Sequence, residues 1–154
     1  THDGRLIAID AKTGKPVWSV MTTTKGDHRY ITGAPRLFGG KVIIGHAGSD
    51  FGNVRGYVTT YDAETGKQLW RFYTVPGDPR VPVENEHLKA AMPTWKADAG
   101  PGWKYWEVGG GGTVWDSMAY DPDLDGAPVL GRGNQRDDTA QRKVEKFCPF
   151  AHRK

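Results

Sequence analysis

Along the chain, short apolar runs alternate with polar, glycine-bearing turns, a pattern that predicts strands rather than helices. Residues 4–9 and 17–22 read as a first hairpin. Residues 36–44 read as a second, with Gly39-Gly40 as its two-residue turn. A third spans 54–74. The first and third share their text: Asp10-Ala-Lys-Thr-Gly-Lys-Pro-Val-Trp18 returns as Asp62-Ala-Glu-Thr-Gly-Lys-Gln-Leu-Trp70. Self-similarity at a period of roughly 40–50 residues marks a propeller blade or a solenoid unit. Gly14 and Gly66 supply the positive φ of the turn, and Asp10 and Asp62 bond its backbone. One hairpin cannot bury a tryptophan alone, so neighbouring units must stack.

Residues 75–104 form a long loop carrying five prolines, with a short helix predicted over 84–92. A loop of that length inside a compact fold is usually functional or an insertion. Gly109-Gly-Gly-Gly-Thr-Val-Trp115 then opens the next unit, and Tyr120-Asp-Pro-Asp-Leu-Asp-Gly126 reads as another strand and turn. Residues 1–126 are therefore expected to be a propeller segment of about two blades, fewer than the roughly 4–8 a stable propeller needs. Residues 127–154 are an unpatterned basic tail. With one permitted choice of codons for Ala127-Pro-Val-Leu-Gly-Arg-Gly133, reading one base later gives a strand-like Leu-Leu-Tyr-Leu-Gly-Val, so a frame slip near Asp125, and with it an out-of-frame origin, is one reading of that tail.

Composition narrows the function classes. The 154 residues include 21 glycines and six tryptophans, as expected of a turn-rich all-β chain. The net charge of +3 is concentrated in the tail (Arg132, Arg136, Arg142, Lys143, Lys146, Arg153, Lys154), which argues against nucleic acid as a partner. No apolar run approaches the roughly 18 residues of a membrane span. The lone Cys148 permits no internal disulfide, and Cys148 with His152 does not match the haem-attachment spacing. Dinucleotide, phosphate-loop, zinc and nucleophile-elbow motifs are absent.

The glycine-rich stretch Gly45-His-Ala-Gly-Ser-Asp-Phe-Gly-Asn53 is the leading candidate for chemistry. Glycines let a ligand approach the backbone, and Asp50 is a hard oxygen donor suited to a cation such as Ca²⁺. The competing reading is a bulged loop with a solvated aspartate. Trp115 is either a flat face for a planar ligand or a core residue. His46 beside Asp50 suggests a metal pair, against which stands a hydrogen-bonded loop histidine.

Several motifs together resemble the pyrroloquinoline quinone (PQQ)-dependent alcohol dehydrogenases, in the quinohaemoprotein-like part of the methanol and ethanol dehydrogenase group. They are Ile31-Thr-Gly-Ala-Pro-Arg36, Lys41-Val-Ile-Ile-Gly45, Gly48-Ser-Asp-Phe-Gly52, the 54–67 repeat, Trp70-Arg-Phe-Tyr-Thr-Val-Pro-Gly-Asp-Pro79 and Gly109-Gly-Gly-Gly-Thr-Val-Trp-Asp-Ser117. The resemblance covers residues 1 to about 126. It implies a quinoprotein-like, eight-bladed β-propeller that oxidises alcohols to aldehydes in the periplasm with PQQ and Ca²⁺, or a lanthanide in its place. Electrons would pass to a cytochrome c or a quinone, and any haem c would belong to another part of the protein.

By position, Thr32, Gly48, Ser49 and Thr113 would contact the cofactor, and Trp115 would stack on it. Asp50 falls where many members carry a metal-ligating glutamate one methylene longer. Ala47 replaces a serine that some members use as a cofactor contact, and Asn134 matches a metal-ligating asparagine. The family's aspartate base lies downstream of this chain, and its vicinal disulfide and an arginine contact lie upstream. The chain alone is therefore expected to be inactive. Two other readings remain: a non-catalytic propeller scaffold built on the same repeat, and a remnant that neither folds nor binds.

Overall fold

The computed structural model describes residues 1–116 and 118–120, so the 127–154 tail and Asn134 lie outside the described residues. Arg5–Ile9 (β1) and Pro16–Met21 (β2) form a two-stranded antiparallel sheet. Arg36–Phe38 (β3), Lys41–Ile44 (β4), Tyr57–Asp62 (β5) and Gln68–Tyr73 (β6) follow in order as a four-stranded antiparallel sheet.

The two repeat copies match atom for atom at their turns. Asp10 Oδ1 accepts from the Thr13 N–H and hydroxyl, both at 2.7 Å, and from the Lys12 N–H at 3.1 Å. Asp62 Oδ1 accepts likewise from the Thr65 N–H (2.8 Å), the Thr65 hydroxyl (2.7 Å) and the Glu64 N–H (3.1 Å). Gly14 and Gly66 sit at φ 69° and 71°. Each hairpin then bulges on its second strand, where Val17 and Leu69 are the extra residues, leaving Ala8 opposite Trp18 and Thr60 opposite Trp70.

These bonds hold the Asp62 carboxyl below its ordinary range, the Thr65 hydroxyl contributing most. A depressed folded pKa stabilises the fold above the unfolded pKa, and the gain is lost as pH falls through the folded value. Asp62→Ala is therefore expected to lower the thermal midpoint at pH 7. The gap from wild type should narrow on acidification, which melting curves across pH would show.

Alternation along β4 sends side chains to both faces of the larger sheet. Val42 and Ile44 join Leu6, Ile31 and Tyr61 on one side, with Trp18 and Val20 of β2 packed against them. Ile43 joins Val58 and Val114 on the other, against Phe38, Trp70, Phe72 and Met118. The β1–β2 hairpin thus covers one face and the segment through Val114 the other. The stacking that the tryptophans demanded is explicit: Trp18 Nε1 donates to Ala63 O at 3.1 Å, and its ring lies over Gly66, where a Cβ would come within 2.7 Å.

Between β6 and Gly109 the chain makes an excursion. Asn85 Oδ1 caps helix α1 (Glu86–Ala91) by accepting from the Leu88 N–H at 2.9 Å, and a 3₁₀ turn covers Met92–Thr94. A small hairpin, Asp98–Gly100 (β7) and Trp103–Lys104 (β8), replaces part of the expected loop. Its strands are too short to show alternation, which is why the sequence pattern missed it. Arg55 pins the excursion by pairing with Glu84 while lying 4.0 Å over the Tyr73 ring.

Candidate functional site

Two glycine-rich segments build the site. The first leaves β4 at Gly45. Ala47 N–H donates to Tyr30 O at 2.8 Å, and Gly48, at φ 124°, backs so closely onto His28 that a Cβ would lie 2.3 Å from the His28 carbonyl oxygen. The Phe51 and Gly52 N–H groups then close a turn on Gly48 O, each at 3.1 Å.

The second segment is the run Gly109 to Gly112. All four residues hold left-handed φ between 68° and 80°, a path closed to most side chains. It is tied to the start of β5 by Gly56 N–H to Gly111 O at 2.7 Å and Gly111 N–H to Val54 O at 3.2 Å. Thr74 Oγ1 adds a bond to Gly112 O at 2.6 Å.

From there the backbone crosses the larger sheet in a lane that three glycines keep open. A Cβ on Gly56 would lie 2.1 Å from Gly112 O, one on Gly45 1.8 Å from Val114 O, and one on Gly33 2.2 Å from Trp115 O. The lane delivers the buried Thr113 beside Ser49, their hydroxyl oxygens 3.2 Å apart. It leaves Trp115 39% exposed, bordering a shallow recess lined by Gly33, Ala34, Arg36, Asp116 and Met118.

Of the residues singled out from the sequence, Ser49 and Thr113 therefore meet directly, and Trp115 passes against Gly33, next to the exposed Thr32. Asp50 is exposed on the loop turn. Among the described residues no group of three or more His, Cys, Asp or Glu is placed to hold a metal ion. His46 turns away from that role. It is 1% exposed, its Nδ1 bonds Ala47 O at 3.0 Å, and its Nε2 accepts from the Tyr57 N–H at 3.3 Å. Burial, aided by the Arg29 and Arg71 cations and opposed by the Ala47 bond and Asp27, pushes it down to about 4.

The lane itself was missed from sequence. Its only local signal is a glycine at the end of one apolar strand and before another, at Gly45 and Gly56.

A family model for PQQ, described as the glucose/ethanol/alcohol dehydrogenase β-propeller domain, matches residues 1–140. The chain belongs to this PQQ dehydrogenase family. It is 60% identical over 134 residues to quinohemoprotein alcohol dehydrogenase ADH IIB of Pseudomonas putida, covering 87% of this chain and 18% of that protein. The chain thus spans under a fifth of the length of that relative.

The solved structure of ADHIIG from Pseudomonas putida HK5 superposes with a TM-score of 0.72 at 60% identity, covering 80% of this chain and 17% of that one. A europium-containing methanol dehydrogenase matches with a TM-score of 0.62 at 32% identity, over 85% of this chain and 24% of that one. The fold is part of a PQQ dehydrogenase propeller, as the repeat and the resemblance implied. No helix among the described residues is long and apolar enough to cross a membrane.

Proposed function

We propose that this chain contributes one wall of the quinone site in a PQQ-dependent alcohol dehydrogenase. The observation that carries the reading is the meeting of the Ser49 and Thr113 hydroxyls in a segment that goes on to expose the Trp115 indole. PQQ is planar and rich in acceptor oxygens, so a flat aromatic face with neighbouring hydroxyl donors suits it. Such a quinone, when bound, would supply the hydride-accepting chemistry of alcohol oxidation.

The residues here bind and orient. Trp115 offers its face, Thr32 and Ser49 offer hydroxyls, the buried Thr113 holds the Ser49 hydroxyl in place, and Gly48 lets the loop pack onto His28. Asp50 offers carboxylate oxygens to a Ca²⁺ or lanthanide ion, which in this reading needs further ligands, Asn134 among them. No residue of the chain is assigned as the base, so the chain by itself is expected to bind without turnover. Transfer of electrons to a cytochrome c or quinone, and a periplasmic location, belong to the same proposal.

Equilibrium dialysis of PQQ against the 154-residue chain tests the reading. Trp115→Ala is expected to weaken binding by about tenfold, and Trp115→Phe by only about threefold, since the phenyl ring keeps an aromatic face. A folded wild-type chain with no measurable PQQ affinity, or a Trp115→Ala variant that binds as wild type does, would sink it.

A further inference from the structure

We infer that His46 is a positioning residue: in its neutral Nδ1–H tautomer it clamps the loop bearing Gly48, Ser49 and Asp50 to the first residue of β5. The inference rests on the preceding reading only for what the loop faces, not for the clamp. The geometry fixes the tautomer. Ala47 O, 3.0 Å from Nδ1, can only accept, so Nδ1 carries the proton. Nε2 then has its lone pair free for the Tyr57 N–H at 3.3 Å. An imidazolium would set two donors against each other there, and the other neutral tautomer would spoil both contacts.

The ring is placed by packing. It lies 4.3 Å from the Tyr57 ring, whose hydroxyl donates to Thr22 O at 2.9 Å. The Arg71 guanidinium stands 4.0 Å from the centre of that tyrosine ring and Arg29 5.1 Å from it, and Asp27 pairs with Arg29. The charges around His46 are thus two cations and one carboxylate, which disfavour a third cation at a buried position.

The clamp also has a place in the chain where it matters. His46 is the first residue after Gly45, the point where the strand ends and the loop begins. Ala47 N–H bonds Tyr30 on one side, and His46 bonds Tyr57 on the other. The two links bracket the loop base, so the position of Ser49 opposite Thr113 depends on both.

Long-range ¹H–¹⁵N spectra of the ¹⁵N-histidine-labelled chain read the tautomer, and hydrogen exchange reads the Tyr57 amide and residues 47–52. His46 is expected in the Nδ1–H form from pH 7 down to about 4. The folded value lies below the ordinary one, so the neutral form's stabilisation is present at pH 7 and is lost as pH falls towards it.

His46→Gln keeps an acceptor able to reach the Tyr57 amide, so that amide should exchange within about threefold of wild type, whereas in His46→Leu it should speed up by about tenfold. PQQ affinity by dialysis should follow the same order. An Nε2–H or charged His46 at pH 7 overturns the inference. So do a Tyr57 amide as slow in His46→Leu as in wild type and, where the wild type binds PQQ, equal PQQ affinity in the two variants. A wild type with the expected tautomer and protection but no PQQ binding removes the quinone reading and leaves the clamp standing.

Discussion

Replacing Trp18 with alanine is expected to cost about 2–3 kcal/mol of stability, below the range for a fully buried aromatic because Trp18 is half-buried against the core. The argument is positional as well as volumetric. Trp18 and Val20 are the β2 side chains packed against the core of Leu6, Ile31, Val42, Ile44 and Tyr61, and Trp18 also bonds Ala63 O across the two repeats. Truncation therefore strips cover from a core and removes the bond joining one repeat to the next.

Trp18→Phe separates the two effects. It retains most of the ring packing and loses the N–H donor, so it should cost about 1 kcal/mol plus the smaller ring's lost contact. Gly66→Ala attacks the same joint from the other side, combining a Cβ 2.7 Å from Trp18 Cδ2 with a backbone φ of 71°. Urea unfolding of the three variants measures this. If Trp18→Ala costs no more than Trp18→Phe, the hairpin is held by something other than its tryptophan.

That joint was legible in the sequence because its signals are local and repeated. An aspartate, a threonine and a glycine in fixed order specify a turn by their own hydrogen bonds, and a tryptophan at a fixed offset on a short hairpin has to pack on something outside it. The Gly39-Gly40 turn, with φ of 47° and 73°, and the Asn85 cap were readable for the same reason.

The site was legible only through resemblance. Ser49 and Thr113 meet from distant parts of the chain, and neither carries a local mark of the other. The three glycines of the lane look like ordinary strand ends until a second backbone is laid across them. His46 shows the limit most directly. Its neighbour in sequence suggested a metal pair, whereas the loop folds the imidazole under Tyr57 and spends both nitrogens on the backbone. Of the two readings of that residue, the loop histidine is the one the structure supports.

Gly45→Ala should be the most damaging single-methyl change near the site. Gly45 has no left-handed φ, so alanine meets no backbone strain there, and the whole effect is steric. The new Cβ would fall 1.8 Å from Val114 O and 2.9 Å from Val114 Cβ, and the nearest atoms belong to backbone that no rotamer change can move. Either the strand end or the Thr113-Val-Trp115 lane must shift, and Val114 is one of three buried residues in the second core cluster.

Overpacking of this kind costs about 3 kcal/mol, at the upper end of the usual range because backbone must yield. Gly14→Ala is the matched control: it has open space around the new methyl but a φ of 69°, so it should cost about 1 kcal/mol through strain alone. The two variants also differ in function. A displaced lane separates Thr113 from Ser49 and moves Trp115, so Gly45→Ala should lose PQQ affinity under conditions where it remains folded, while Gly14→Ala keeps it. Denaturant titration and dialysis on both variants decide the matter. A Gly45→Ala chain within about 0.5 kcal/mol of wild type, the range of a neutral surface change, would mean that the lane does not run tight against β4.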